Sequence, residues 1–78
     1  ADAEVAEVLR ATRERQRADV GAGLILILGR PPTDDELDGT WAITSPEVWL
    51  LLVEESGWSP DRYRRWTAET LGRILPRT

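Results

Sequence analysis

The sequence predicts a small all-α protein of four helices. Apolar residues recur at intervals of three and four in the first and last thirds of the chain, and this is the period of a helix with one face on a core. The pattern Ser-Pro-acid occurs twice, at residues 45–47 and 59–61, and serine before proline is typical of a helix start. We expect a single domain over residues 1–78, orthogonal or bundle-like, with helices at about 2–28, 33–44, 46–56 and 60–75.

The first predicted helix is amphipathic. Glutamates and arginines fill one side, and the other side carries residues at helical spacing: Val5, Val8, Leu9, Thr12, Gln16 and Val20. The segment from Gly21 to Leu28 is ambiguous, because its alternating Leu and Ile favour a buried strand, yet no second strand exists to pair with it. We interpret residues 24–28 as the buried end of the helix, closed by Gly29 as a left-handed C-cap, and the strand alternative stays open.

The later helices have recognisable starts. Thr33 followed by Glu36 predicts a capping box, in which each residue satisfies a backbone N–H of the other. The third and fourth helices are predicted to begin at the two Ser-Pro steps, with the hydroxyl groups of Ser45 and Ser59 as caps. Each step also ends the preceding segment, because the residue before a proline avoids helical angles.

The third helix is apolar on every side from Val48 to Val53. A helix of this kind must be covered all round, and the other three helices would leave one flank bare. Trp58 is expected to pack on Tyr63 and to fix the angle between the last two helices. The apolar side chains together have more surface than four short helices can bury. A partner or an apolar ligand is therefore expected to cover the remaining apolar surface.

Composition narrows the classes of function. The chain has 78 residues with no cysteine and no histidine, which removes disulfides, the usual zinc ligands, the thiol nucleophile and the commonest general base. We therefore expect no enzyme activity, no cofactor and no bound metal, and we interpret the acidic residues at 34–38 and 54–55 as solvated. A domain this small, without a disulfide or a structural metal, needs another source of stability, and oligomerisation can supply it.

Charge and hydropathy indicate the surroundings of the protein. The net charge of −4 disfavours direct contact with nucleic acid, because the chain as a whole repels phosphate. The longest apolar runs are too short to span a membrane and no signal-peptide pattern opens the chain, so a cytoplasmic location is expected. All ten basic residues are arginines, while Lys, Asn, Phe and Met are absent. This bias is typical of GC-rich codon usage and indicates a high-GC bacterial source.

Residues 41–75 read WAITSPEVWLLLVEESGWSPDRYRRWTAETLGRIL, which resembles the C-terminal end of TetR-family transcriptional regulators from high-GC bacteria. Such regulators often carry a Trp-Ala-aliphatic-Thr-Ser-Pro-Glu-Val-aromatic segment, then Gly-Trp-Ser-Pro-acid-Arg-Tyr, then a closing amphipathic helix. The resemblance covers nearly half of the chain. The chain departs from the pattern at Trp49, where Tyr is usual, at Thr67, where Leu is common, and in its LILIL run.

The resemblance implies a homodimer in which the last two helices of each protomer form an intermolecular four-helix bundle. The implied interface residues are Trp49, Leu50, Leu52, Val53, Tyr63, Trp66, Leu71 and Ile74. A small apolar effector is implied as well, with Trp41 and Trp49 as its predicted contacts. The family's helix-turn-helix would precede residue 1, so no DNA-contacting residue carries over.

Two functions are consistent with these features. The first is the dimerisation and effector-binding part of a TetR-like repressor without its own DNA-binding domain, as a piece of a regulator or as a degenerate stand-alone relative. The second is a stand-alone helical module that binds a different protein through the surface from Val48 to Val53. Self-association separates the two, since a homodimer covers that surface and an adaptor leaves it available.

Overall fold

The computed structural model describes residues 2–76 and contains four helices and no strand over this range. The helices are α1 (Asp2–Leu28), α2 (Asp34–Ile43), α3 (Pro46–Trp49) and α4 (Pro60–Ile74). α3 continues without a break into a π-helix over Leu50–Glu55, and the two together are called the third helix below. The predicted all-α class is confirmed, and each observed helix end lies within one residue of its predicted position.

α1 stays helical through Leu28, which decides between helix and strand for the segment after Gly21. Its end has the predicted form, since Gly29 has φ 70° and its N–H donates to the carbonyl of Ile25 at 2.9 Å. Burial differs from the prediction: Leu24 is 2% exposed, whereas Leu26 is 86% exposed and both of its neighbours face solvent. The expectation of a buried helix end was wrong: α1 packs against α2, and this packing leaves residues 25–27 exposed.

α2 begins at the predicted capping box. The hydroxyl of Thr33 accepts a hydrogen bond from the Glu36 N–H at 3.1 Å, and the Thr33 N–H donates to the Glu36 carboxylate at 2.8 Å. Arg30 donates two further bonds to that carboxylate, at 2.9 and 3.0 Å. The Arg30 guanidinium and then the Thr33 N–H favour the ionised form, and they lower the pKa of Glu36 from 4.5 to about 2. These bonds hold the loop after α1 against the start of α2, and Glu36 is only 8% exposed, so the interpretation of this carboxylate as solvated was wrong.

α2 lies at the centre of the packing, since it contacts both α1 and α4. On α1, a methyl group added at Gly21 would lie 3.6 Å from a methyl carbon of Leu37. On α4, Ile74 packs against Gly39, where an added methyl group would lie 3.4 Å from the isoleucine. α2 has 10 residues and α1 has 27, which correspond to about 15 and 40 Å of helix. Much of α1 therefore extends beyond α2.

The two Ser-Pro corners differ in their hydrogen bonds. The hydroxyl of Ser59 accepts from the Arg62 N–H at 3.1 Å, so Ser59 caps α4 as predicted. Ser45 precedes α3 at the same position, but its hydroxyl donates to the carbonyl of Ala42 at 2.9 Å and makes no cap bond. The predicted side-chain cap at Ser45 was wrong, because this hydroxyl closes the end of α2 instead.

Candidate interaction surface

The third helix changes its hydrogen-bond pattern after one turn. Residues 46–49 are α-helical, and the next six residues form a π-helix, in which bonds join residues five apart. At its end, the N–H and the hydroxyl of Ser56 both donate to the carbonyl of Leu51, at 3.0 and 2.7 Å. Gly57 then turns the chain with φ 74°. The sequence predicted an ordinary α-helix here, and π segments are frequently found at functional sites.

Two adjacent leucines of the π-helix face solvent. Leu50 is 53% exposed and Leu51 is 60% exposed. The other apolar residues of the third helix are half-buried: Val48, Trp49, Leu52 and Val53. The third helix thus has an uncovered apolar flank, as its sequence predicts. Leu51 was missing from the predicted interface residues, although its place inside a run of three leucines was a signal for it.

Aromatic contacts join the third helix to α4. Trp49 and Tyr63 meet edge to face, with ring centroids 4.9 Å apart, and Trp58 and Trp66 meet in the same way at 5.9 Å. The sequence predicted that Trp58 packs on Tyr63, whereas the structure pairs Trp58 with Trp66 and Tyr63 with Trp49. These two pairs hold α4 against the end of the third helix.

The predicted interface residues of α4 already take part in packing within the chain. Tyr63, Trp66, Leu71 and Ile74 are all half-buried. Ile74 lies on Gly39 of α2, and the two aromatic residues make the ring contacts described above. Leu50 differs from these residues, because half of its side chain remains available to a partner.

Trp41 of α2 is half-buried and borders open grooves that residues of α1 also line. One groove, of about 420 Å³, runs along α1 past Leu9, and another, of about 360 Å³, reaches Glu47. Trp49, the second predicted effector contact, packs on Tyr63 and lines neither of these grooves. The structure places the two tryptophans in separate contacts, and Trp41 is the one beside open space.

α1 exposes apolar side chains at both of its ends. Near the start these are Val5, Val8 and Leu9, and near the end they are Ile25, Leu26 and Ile27. None of them belongs to the predicted interface. Five consecutive apolar residues cannot all face one neighbour on a helix, so the run at 24–28 was itself a signal that some of them would be exposed.

The chain exposes more surface than a folded protein of its mass normally does. Its accessible area is 5852 Å² for 8.8 kDa, whereas a compact monomer of this mass exposes about 4,800 Å². The radius of gyration is 14.4 Å, compared with about 11.5 Å for a compact domain of this length. The difference of about 1,000 Å² resembles the share that one partner buries in a standard protein interface, about 800 Å².

Among residues 2–76, no group of three or more His, Cys, Asp or Glu side chains is placed to hold a metal ion. No helix in the described range is long and apolar enough to cross a membrane. No protein-family model, no curated protein and no solved structure matches the chain. What the chain does is therefore inferred from its own residues and surfaces.

Proposed function

We propose that this chain is a homodimerisation module, and that it corresponds to the C-terminal regulatory part of a TetR-like transcriptional repressor. The uncovered flank of the π-helix carries the proposal, because Leu50 and Leu51 are adjacent, apolar and more than half exposed. An isologous two-fold contact between two such flanks covers both of them at once. The resemblance of residues 41–75 to TetR-family C-termini supports the same pair of helices as the interface.

The excess surface supports a dimer over a monomer. A small core without disulfide or metal supplies roughly 3–5 kcal/mol, and removing a further 800 Å² of mostly apolar surface from water adds a favourable term of the kind that stabilises obligate dimers. Trp49 directly precedes the exposed leucines in sequence, and its half-buried ring packs on the half-buried ring of Tyr63. The two rings would form the edge of the interface, with the leucines at its centre.

Sedimentation equilibrium across a concentration series tests the dimer, with Leu51→Glu as the disrupting variant. Val8→Glu is the matched control, because Val8 is 65% exposed on α1 and lies outside the proposed interface. We expect a dimeric parent chain, a monomeric Leu51→Glu and a dimeric Val8→Glu, all with the same helical content by circular dichroism. A parent chain that is monomeric throughout, or two variants with equal masses, would refute the proposal.

Binding of a small apolar effector is the second part of the proposed function. In a TetR-like parent, effector binding would shift the relation between the two halves and release DNA. Trp41 supports this part, since its ring borders open grooves against α1. Tryptophan fluorescence during a titration with decanol tests it, and we expect a response in the parent chain that Trp41→Ala lacks. An equal response in Trp41→Ala would remove Trp41 from the site.

The alternative function is a stand-alone helical module that binds a different protein. The exposed end of α1 favours it, because Ile25, Leu26 and Ile27 form an apolar patch outside the proposed dimer interface. A homodimer through the third helix would leave this patch uncovered. A stable monomer in the sedimentation series would therefore favour the alternative.

A further inference from the structure

A groove with two tryptophans and two arginines lies on the first half of α4. Trp58, Arg62 and Trp66 are spaced four residues apart, so they share one side of the helix and of the turn before it. Arg65 and Glu69 complete the walls of the groove, which has a volume of about 300 Å³. Neither the dimer interface nor the effector grooves beside Trp41 account for this combination of residues.

The geometry of the groove is fixed by local contacts. The two indole rings meet edge to face, with an interplanar angle of 83°, and the guanidinium carbon of Arg62 lies 4.0 Å from the centroid of the Trp58 ring. The backbone N–H of Trp58 donates to the carbonyl of Leu52 at 2.9 Å, which fixes the backbone of this residue against the third helix. These contacts fix the side chains that line the groove before any ligand binds.

The charge of the groove is unusual for this acidic protein. Within residues 2–76, neither Arg62 nor Arg65 has a carboxylate oxygen within ion-pair distance, whereas neighbouring Arg64 pairs with Asp61 at 2.9 Å. α4 contains four arginines and two carboxylates, a net charge of +2, in a chain with a net charge of −4. The Arg62 guanidinium lies over the Trp58 ring, and Arg65 lines the same groove, so both supply N–H donors that no carboxylate of the described residues occupies.

We propose that this groove binds a small aromatic carboxylate. A guanidinium presents parallel N–H donors that match a carboxylate, and Arg65 is free to offer them. The indole of Trp66 offers an edge or a face to the aromatic ring of the ligand. Glu69, which also lines the groove, favours a ligand with a single negative charge, because it would repel a second anionic group.

The groove lies at the border of the proposed dimer interface. Trp66 is one of the predicted interface residues, but Arg62 and Arg65 are exposed and lie outside that set. The carboxylate site does not depend on the dimer. Binding is therefore expected both below and above the protein concentration at which the chain self-associates. Loss of binding as the protein self-associates would instead assign the groove to the interface and overturn the site.

The test is a titration of the full chain with sodium benzoate, followed by NMR of the indole N–H groups at constant ionic strength. We expect saturable shifts at Trp58 and Trp66 and unchanged signals from Trp41 and Trp49. Benzamide, the neutral analogue, should bind about tenfold more weakly, since a hydrogen bond to a charged group is lost. Equal binding of the two compounds, or shifts at all four tryptophans, would overturn the proposal.

A pair of arginine variants assigns the binding to the groove. Arg65→Gln should weaken benzoate binding about tenfold, whereas Arg73→Gln, which removes the same charge from the same helix outside the groove, should leave it unchanged. Both side chains are exposed, so neither change is expected to alter the circular dichroism spectrum. Equal weakening in the two variants would show a general charge effect and no site.

Discussion

Replacing Leu24 by alanine tests how this fold is held together. Among residues 2–76, Leu24 is the one apolar side chain that is almost fully buried, at 2% exposure. Truncating a buried leucine costs about 2–5 kcal/mol, and a chain of this size has a net stability of roughly 3–5 kcal/mol. We expect a loss of about 3 kcal/mol, which is most of the stability. Helix propensity cannot explain such a loss, because alanine is the better helix former.

Leu26→Ala is the matched control for this prediction. Leu26 lies two residues further along the same helix and is 86% exposed, so the same truncation should change the free energy of unfolding by less than about 0.5 kcal/mol. Urea unfolding followed by circular dichroism measures both variants against the parent chain. Equal losses would refute the reasoning, because they would mean that Leu26 is covered by another chain. Repeating the measurement at a tenfold higher protein concentration identifies that case.

Three further predictions concern a helix cap, an ion pair and a backbone angle. Ser59→Ala should cost about 1 kcal/mol in urea unfolding through loss of a cap, while Ser45→Ala, where no cap bond exists, should cost less; equal costs would contradict the observed bonds. Glu36 has a lowered pKa beside Arg30, so its stabilising contribution is complete above pH 4.5 and is lost as the pH falls toward 2. The Tm difference between the parent chain and Glu36→Gln should narrow over that window, and a constant difference would refute the ion pair. Gly57→Ala should cost about 1–2 kcal/mol in thermal or urea unfolding, because Gly57 has a positive φ, and an unchanged midpoint would contradict that backbone angle.

Helix ends could be predicted from the sequence because their chemistry is local. The capping box of Thr33 and Glu36 joins residues three apart, and the Ser59 cap reaches only to the Arg62 N–H. A glycine in the left-handed region ends α1 at Gly29, where a side chain would add strain. Each of these features depends on neighbours in the sequence, so no knowledge of the tertiary packing was needed.

Burial and side-chain partners could not be predicted in the same way. All residues from Leu24 to Leu28 are apolar, but the exposure of each depends on whether it lies on the face of α1 that packs against the rest of the chain. From the sequence, Trp58 could pack on either Tyr63 or Trp66 of α4. In the structure Trp49 packs on Tyr63, and Trp58 packs on Trp66. The hydroxyl of Ser45 could likewise accept from an N–H of the third helix or donate to a carbonyl of α2, and in the structure it donates to Ala42.

The π-helix links the fold to the proposed interface. An α-helix rotates by about 100° per residue, and a π-helix rotates somewhat less because its hydrogen bonds join residues five apart, so adjacent side chains lie slightly closer together on its surface. In the π segment the ladder includes one more residue per hydrogen-bonded turn, and both Leu50 and Leu51 remain exposed while Trp49 packs on Tyr63. A core this small gains little from two exposed leucines, and their placement has a physical advantage only when a second surface removes them from water. The dimerisation experiment on Leu51 therefore tests whether the exposed flank of the π-helix is an interface.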